Sequence, residues 1–188
     1  MISAKLGHFL DKPLAPIAKQ IPVSPNFLTF TGFVVTTAAA MIIPFDPITG
    51  ACLMLVGGAF DVFDGIVART NGKNTKFGAF LDSTLDRYAD AAIFLAIMWF
   101  FFRQNNFRGL FLTGGSLVGA FLISYVRARA ESLGLDCNVG LIERPERIIL
   151  LAVGCITGWI FPVMIVLFIL SHITVIQRVV YVYKATKM

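Results

Sequence analysis

Six long apolar stretches, separated only by short polar joints, dominate the 188 residues of this chain. A helix that crosses the roughly 30 Å hydrocarbon core of a bilayer needs about 20 such residues. Inside lipid, only helices and closed barrels satisfy every backbone polar group. The runs predict spans at 26–44, 48–70, 77–102, 108–133, 145–158 and 161–184. Pro22, Pro25, Pro44, Pro47 and Pro162 fall at or near the joints, where a missing N–H costs least. Gly72 and Asn74 mark the turn between the second and third spans. Charged residues make up 14% of the chain, against about a quarter in soluble domains, and the mean hydropathy is +0.79. The expected fold class is therefore an all-α integral membrane protein, with little chain left over for a second, soluble domain.

Residues 1–20 set Leu6, Phe9, Leu10, Leu14 and Ile17 against Lys5, Lys12 and Lys19. At helical spacing this gives an apolar face and a basic face, as in a helix lying on an anionic leaflet. Pro13 and Pro16 are expected to break it. The chain thus reads as one domain over 1–188, with a juxtamembrane helix at 1–20 and a six-helix bundle at 21–188. No apolar core of a secretory leader is visible near the N-terminus. Cys52, Cys137 and Cys155 are scattered and form no metal or disulfide spacing, so they read as small apolar fillers.

Basic residues orient the bundle. With the N-terminus in the cytoplasm, only Arg103 and Arg108 of the 16 Lys and Arg residues fall on outer loops, leaving 16 − 2 = 14 inside. Both termini are then cytoplasmic. The net charge of +5 is mostly this anchoring asymmetry. A nucleic-acid partner is not expected, because there is no soluble domain to present a basic surface.

Against this apolar background the acids stand out. Asp61 and Asp64 are three apart at the end of the second span, and Asp82 and Asp86 are four apart at the start of the third. Each pair shares a helix face, and the short turn between the spans makes the helices antiparallel neighbours. All four carboxylates can converge near the cytoplasmic surface. A carboxylate at mid-bilayer costs about 2.5–3.5 kcal/mol, and clustering adds repulsion, so the group needs neutralising cations and access to water. Oxygen-only ligands favour a hard ion, Mg²⁺ first, with Mn²⁺ or Ca²⁺ also suited. One or two ions fit, and two would bridge and polarise a phosphate. Gly57, Gly58, Gly65, Ala68, Gly78 and Ala79 strip side chains from the surrounding helix surfaces. This serves close helix packing, the approach of a bulky ligand, or both.

The pattern Asp-x2-Asp-Gly-x2-Ala-Arg-x8-Gly-x3-Asp-x3-Asp, from Asp61 to Asp86, resembles the signature of the CDP-alcohol phosphotransferases. That family's six-helix membrane core also matches the six runs, so the resemblance covers essentially the whole chain. It implies that an alcohol attacks the β-phosphate of a CDP-linked lipid and that CMP leaves. Asp61, Asp64 and Asp82 would hold the metal. Asp86 would be the general base and touch a second ion. Asp61, Gly65, Ala68, Arg69 and Gly78 would line the CDP site, joined by Asn26 and Thr29 of a Pro-Asn-x2-Thr element that the family also carries. The resemblance further implies a homodimer, while the charge bias puts the site at the cytoplasmic face of the cell membrane.

Arg127, Arg129, Arg144, Arg147 and Arg178 form a second basic set on the same side. Taken singly, each of the first four also fits an inside anchor. Arg178 is different, since the apolar run around it predicts a side chain facing the bundle interior. Converging guanidinium groups suit a phosphate on the acceptor. The stretches 124–131, 140–147 and 176–178 look like those of phosphatidylinositol phosphate synthases, which implies acceptor phosphate binding by Arg127, Arg144, Arg147 and Arg178. Arg127 stands where that subfamily often has lysine. Inositol phosphate is the acceptor favoured, with glycerol 3-phosphate as the alternative. The donor's apolar chains, diacyl or diether, would lie in grooves between helices. Asp90, one turn beyond Asp86, is expected to pair with an arginine or support the site. Arg87 is expected to neutralise the acids or reach substrate. His8 and His172 read as packing residues, and Trp99 and Trp159 suit an interfacial belt.

Two other classes fit less well. Membrane prenyltransferases carry two separate aspartate-rich segments in a longer bundle. An ion transporter would place acids near mid-span and show an internal repeat, and neither feature is visible.

Overall fold

In the computed structural model, residues 23–187 are described, together with residues 16 and 18. The expected interfacial helix at 1–20 therefore lies almost wholly outside the described residues. Six helices follow one another: α1 Pro25–Ile42, α2 Pro47–Thr70, α3 Lys76–Arg103, α4 Phe107–Ser132, α5 Arg144–Thr157 and α6 Ile160–Ala185. Each bound lies within two residues of the run that predicted it, and the described residues form no strand.

The helix starts have local causes. A side-chain oxygen on the preceding residue accepts an orphan backbone N–H at four of them. Ser24 caps Phe27 at 3.3 Å, Asp46 caps Thr49 at 3.2 Å, Thr75 caps Gly78 at 2.9 Å and Asn106 caps Gly109 at 2.9 Å. Pro25 and Pro47 occupy first-turn positions, where proline's missing N–H has no intrahelical partner to lose. Between α2 and α3 the chain reverses in five residues through Gly72, whose φ of +63° favours a residue without Cβ.

Four helices, α1, α2, α4 and α6, are long and apolar enough to cross a membrane. The other two differ for identifiable reasons. Helix α5 has 14 residues, about 21 Å at 1.5 Å per residue, short of a roughly 30 Å core. Helix α3 has 28 residues, but Lys76, Asp82, Asp86 and Arg87 load its first half and Asp90 follows. Phe30, Met41, Phe111 and Ile169 stand exposed on the outer faces, as apolar surface bathed in lipid would.

Helix α1 packs on α2 and α3, α4 on α3 and α6, and α5 on α2 and α6. The main core runs through Met54, Ile93, Phe94, Ile97, Phe101, Leu151, Met164 and Leu167. Away from the acids, Arg103 donates to the Pro44 carbonyl at 2.9 Å and lies 4.7 Å over the Phe45 ring, closing the end of α1. Lipid tails are as apolar as leucine, so close backbone approach holds such helices together. Gly32 and Gly57 make the α1–α2 crossing. A Cβ on Gly57 would collide with the Thr36 hydroxyl and lie 3.1 Å from the Gly32 carbonyl, whereas one on Gly58 would meet only Ile148 at 3.9 Å. Gly57→Ala should therefore lower stability by about 1–3 kcal/mol. Gly58→Ala should leave it within about 0.5 kcal/mol, both read by reversible unfolding in detergent.

Candidate active site

The last turns of α2 and the first turns of α3 bring the acids together. Asp61, Asp64 and Asp82 each offer one carboxylate oxygen, and the three oxygens lie within 4.8 Å of one another. Asp64 is buried, and its Oδ2 has no hydrogen-bond partner. A buried carboxylate oxygen without a donor is costly, and a cation supplies what it lacks. Three hard oxygens at this spacing fit a divalent ion. The fourth acid, Asp86, is engaged elsewhere: its Oδ1 lies 2.7 Å from Arg144 and its Oδ2 3.5 Å from Arg87.

Several cavities border the acids, the widest about 830 Å³ between α3 and α4 and lined by Asp82, Asp86, Arg87 and Arg127, and two of them gather the residues singled out in the sequence. The first, about 330 Å³, lies among α1, α2 and α3 and is lined by Asn26, Thr29, Asp64, Gly65, Ala68, Arg69, Gly78 and Asp82. All the residues expected at the nucleotide face there except Asp61. The close approach needs small residues: a Cβ on Gly78 would sit 3.0 Å from the Asn26 side chain, and one on Gly65 would sit 3.1 Å from the Arg69 guanidinium. Lys73, Asn74 and Thr75 also line it. Sequence reasoning missed these three. Their signal was position, since they form the turn between the two acid-bearing helices.

The second cavity, about 170 Å³, lies where α4, α5 and α6 meet α3. Arg127, Arg144, Arg147 and Arg178 all line it, with Asp86, Arg87 and Glu143. The four expected arginines do converge, but they are not equivalent. Arg178 is inside the bundle, 1% exposed, and its guanidinium is largely used by protein. It donates to the Val139 carbonyl at 2.9 Å, to the Ile123 carbonyl at 2.6 Å and to Glu143 at 3.2 Å. It ties α4, α6 and the 133–143 loop together before it can serve a ligand. Arg147, 2% exposed, pairs with Asp90 at 2.6 Å. Arg144 reaches Asp61 and Asp86, each at 2.7 Å. Arg127 is the open one: its side chain is 43% exposed, 2.9 Å from Glu131 and 3.5 Å from Glu143.

Asp90 thus pairs with arginine as expected, and Arg87 neutralises Asp86 while donating to the Ser83 carbonyl at 2.7 Å. Glu143 was missed. It is buried, precedes α5, and donates its backbone N–H to the Glu146 carboxylate at 3.1 Å. The Glu-x2-Glu spacing with Pro145 between is a helix-start signal that could have found it. His172 bonds the Phe168 carbonyl and packs on that ring at 4.6 Å between centroids, a packing role. His8 lies outside the described residues.

A profile of the CDP-alcohol phosphatidyltransferases matches residues 22–182. The chain belongs to that family. It is accordingly an enzyme. It is 42% identical to archaetidylinositol phosphate synthase of Methanothermobacter thermautotrophicus over 97% of this chain and 92% of that protein. Among solved structures, phosphatidylinositol phosphate synthase of Mycobacterium tuberculosis with CDP-DAG bound superposes with a TM-score of 0.83. The identity there is 33%, over 92% of this chain and 93% of that one. The same Mycobacterium tuberculosis enzyme in complex with manganese and citrate gives 0.82, again at 33% identity, over 92% and 88%.

Removing one partner of a buried ion pair strands the other charge. Asp90→Ala leaves Arg147 without its 2.6 Å partner and should cost about 3–5 kcal/mol. Arg127→Ala, at an exposed pair, should cost less than about 1 kcal/mol. Chemical unfolding of both variants in detergent checks the contrast.

Proposed function

We propose that this phosphatidyltransferase moves a phosphatidyl-type group from a CDP-linked lipid to inositol phosphate, releasing CMP. The observation that carries the reading is that two differently lined cavities both border the acids. The carboxylate triad borders the first through Asp64 and Asp82, and Asp86 and five arginines border the second. A donor diphosphate and an acceptor phosphate can then reach the acids from separate cavities. The relatives named as archaetidylinositol and phosphatidylinositol phosphate synthases support the same acceptor.

In this reading Asn26, Thr29, Gly65, Ala68, Arg69 and Gly78 receive the CDP moiety. Asp61, Asp64 and Asp82 hold a divalent ion, Mg²⁺ first with Mn²⁺ as the alternative, and Asp86 can reach a second. A bound ion supplies charge neutralisation for the diphosphate and for the departing CMP. Arg127, Arg144 and Arg147 orient the acceptor through its phosphate, with Arg178 supporting the cavity wall. Asp86 takes the proton from the acceptor hydroxyl. The oxygen then bonds to the β-phosphorus as the bond from that phosphorus to the CMP oxygen breaks. The donor's chains fit an apolar groove of about 210 Å³ between α2 and α5, lined by Leu55, Gly58, Val62, Ile148 and Ile149 and ending at Asp61 and Arg144.

The same reading makes all six helices spans, with α3 and α5 shielded by their neighbours. It puts both termini and the site at the cytoplasmic face of the cell membrane. The support is the distribution of charge: Arg69, Lys73, Lys76, Arg127, Arg144 and Lys184 lie at the helix ends near the acids, and Arg103 and Arg108 at the far ends. A juxtamembrane helix at 1–20 belongs to this reading on its apolar and basic residues, and a homodimer on the family resemblance alone.

The test is CMP release in detergent with Mg²⁺, from CDP-diacylglycerol and from its diether analogue, with inositol phosphate, glycerol 3-phosphate and serine offered separately. Release is expected with inositol phosphate only, abolished by EDTA and reduced by about 10²–10⁴ in Asp86→Asn. Release with glycerol 3-phosphate instead would overturn the acceptor assignment while keeping the chemistry.

A further inference from the structure

Phosphate binding does not explain how Arg144 is held. Its Nη1 lies 2.7 Å from Asp61 Oδ2 and 2.7 Å from Asp86 Oδ1, so one nitrogen joins carboxylates from two helices. Its Nε lies 3.4 Å from Asp90 Oδ1 and is buried without a hydrogen-bond acceptor. The other Asp90 oxygen is held by Arg147 at 2.6 Å, one turn further along α5. The Arg144 side chain is only 19% exposed. Its charge therefore sits inside the acid cluster, and one of its two closest partners, Asp61, belongs to the carboxylate triad.

We propose that Arg144 is a positioning residue, the resident counter-cation of the aspartate cluster, and that its charge sets how tightly the cluster binds a divalent ion. The inference rests on the metal site proposed above. Two cations that share Asp61 in a partly desolvated site oppose each other. A single positive charge about 5 Å from a divalent ion weakens its binding by roughly tenfold even at high dielectric. A residue that served only the acceptor phosphate would have no such effect. A residue that served only the fold would weaken metal binding when removed, because the triad would lose its shape. The counter-cation role alone predicts tighter binding on removal.

The experiment is calorimetric titration of the full-length protein in detergent with Mn²⁺ alone, without lipid or acceptor, for wild type, Arg144→Gln and Arg144→Lys. The melting temperature of each is read in EDTA and in Mn²⁺. Arg144→Gln should bind Mn²⁺ about tenfold more tightly than wild type and gain more thermal stability from the ion than wild type does. Arg144→Lys keeps the charge but cannot bridge both carboxylates from one planar group, so it should fall between the two. It carries the test if Arg144→Gln does not fold. Affinities that are unchanged or weaker in both variants would overturn this inference and leave the metal site standing. Absence of Mn²⁺ binding in wild type would overturn both.

Discussion

Carboxylates gathered inside an apolar bundle are the constraint on which the rest of this structure depends. In a low-dielectric interior each charge must find a partner or it destabilises the fold. The chain meets this requirement with arginines delivered from other helices. Arg144 and Arg147 come from the first turn of α5 and reach Asp61, Asp86 and Asp90 on α2 and α3. Arg178 on α6 reaches Glu143. Helix α5 is short and begins among the acids, where its N-terminal arginines meet them. Proline at its start and the Glu143–Glu146 contact let it begin abruptly there.

The same pairing divides the site in two. Helices α1, α2 and α3 enclose a space walled by glycine, alanine, Asn26 and Thr29, where backbone can approach a large ligand. Helices α4, α5 and α6 enclose a smaller space walled by guanidinium groups. The carboxylates lie between them. An enzyme that joins a nucleotide-linked donor to a phosphorylated alcohol needs this separation, because both substrates are anionic and repel each other unless cations stand between. On the proposed mechanism a divalent ion serves the donor side and arginine serves the acceptor side.

The sequence made the helices legible because apolar runs of this length have few alternatives in lipid, and because Pro25, Pro44, Pro47, Pro162 and Gly72 mark the joints. The acids were legible for a similar reason: spacings of three and four on helices joined by a short turn leave the carboxylates little choice but to converge. Partner choice was not legible. Arg144 and Arg127 look alike as basic residues beside a span, yet one bridges two carboxylates and the other is 43% exposed. That difference comes from how α5 docks against α2, a long-range packing event that no local spacing encodes. Arg178 was read correctly as interior, but the carbonyls of Ile123 and Val139 that occupy it become visible only once α4 and the following loop are in place. The apolar runs already set the fifth span short, at 145–158, and α3 and α5 are the helices that carry most of the charged groups of the site.

Asp61, Asp64 and Asp82 as the binding site for a divalent ion are central to the proposed chemistry. The most direct measurement is anomalous X-ray scattering near the manganese edge from crystals of the protein grown with Mn²⁺. The expected result is a peak bounded by the carboxylates of these three aspartates, at about 2.0–2.6 Å from an oxygen of each. A peak that none of the three touches, or none in crystals whose solution contained saturating Mn²⁺, would contradict it.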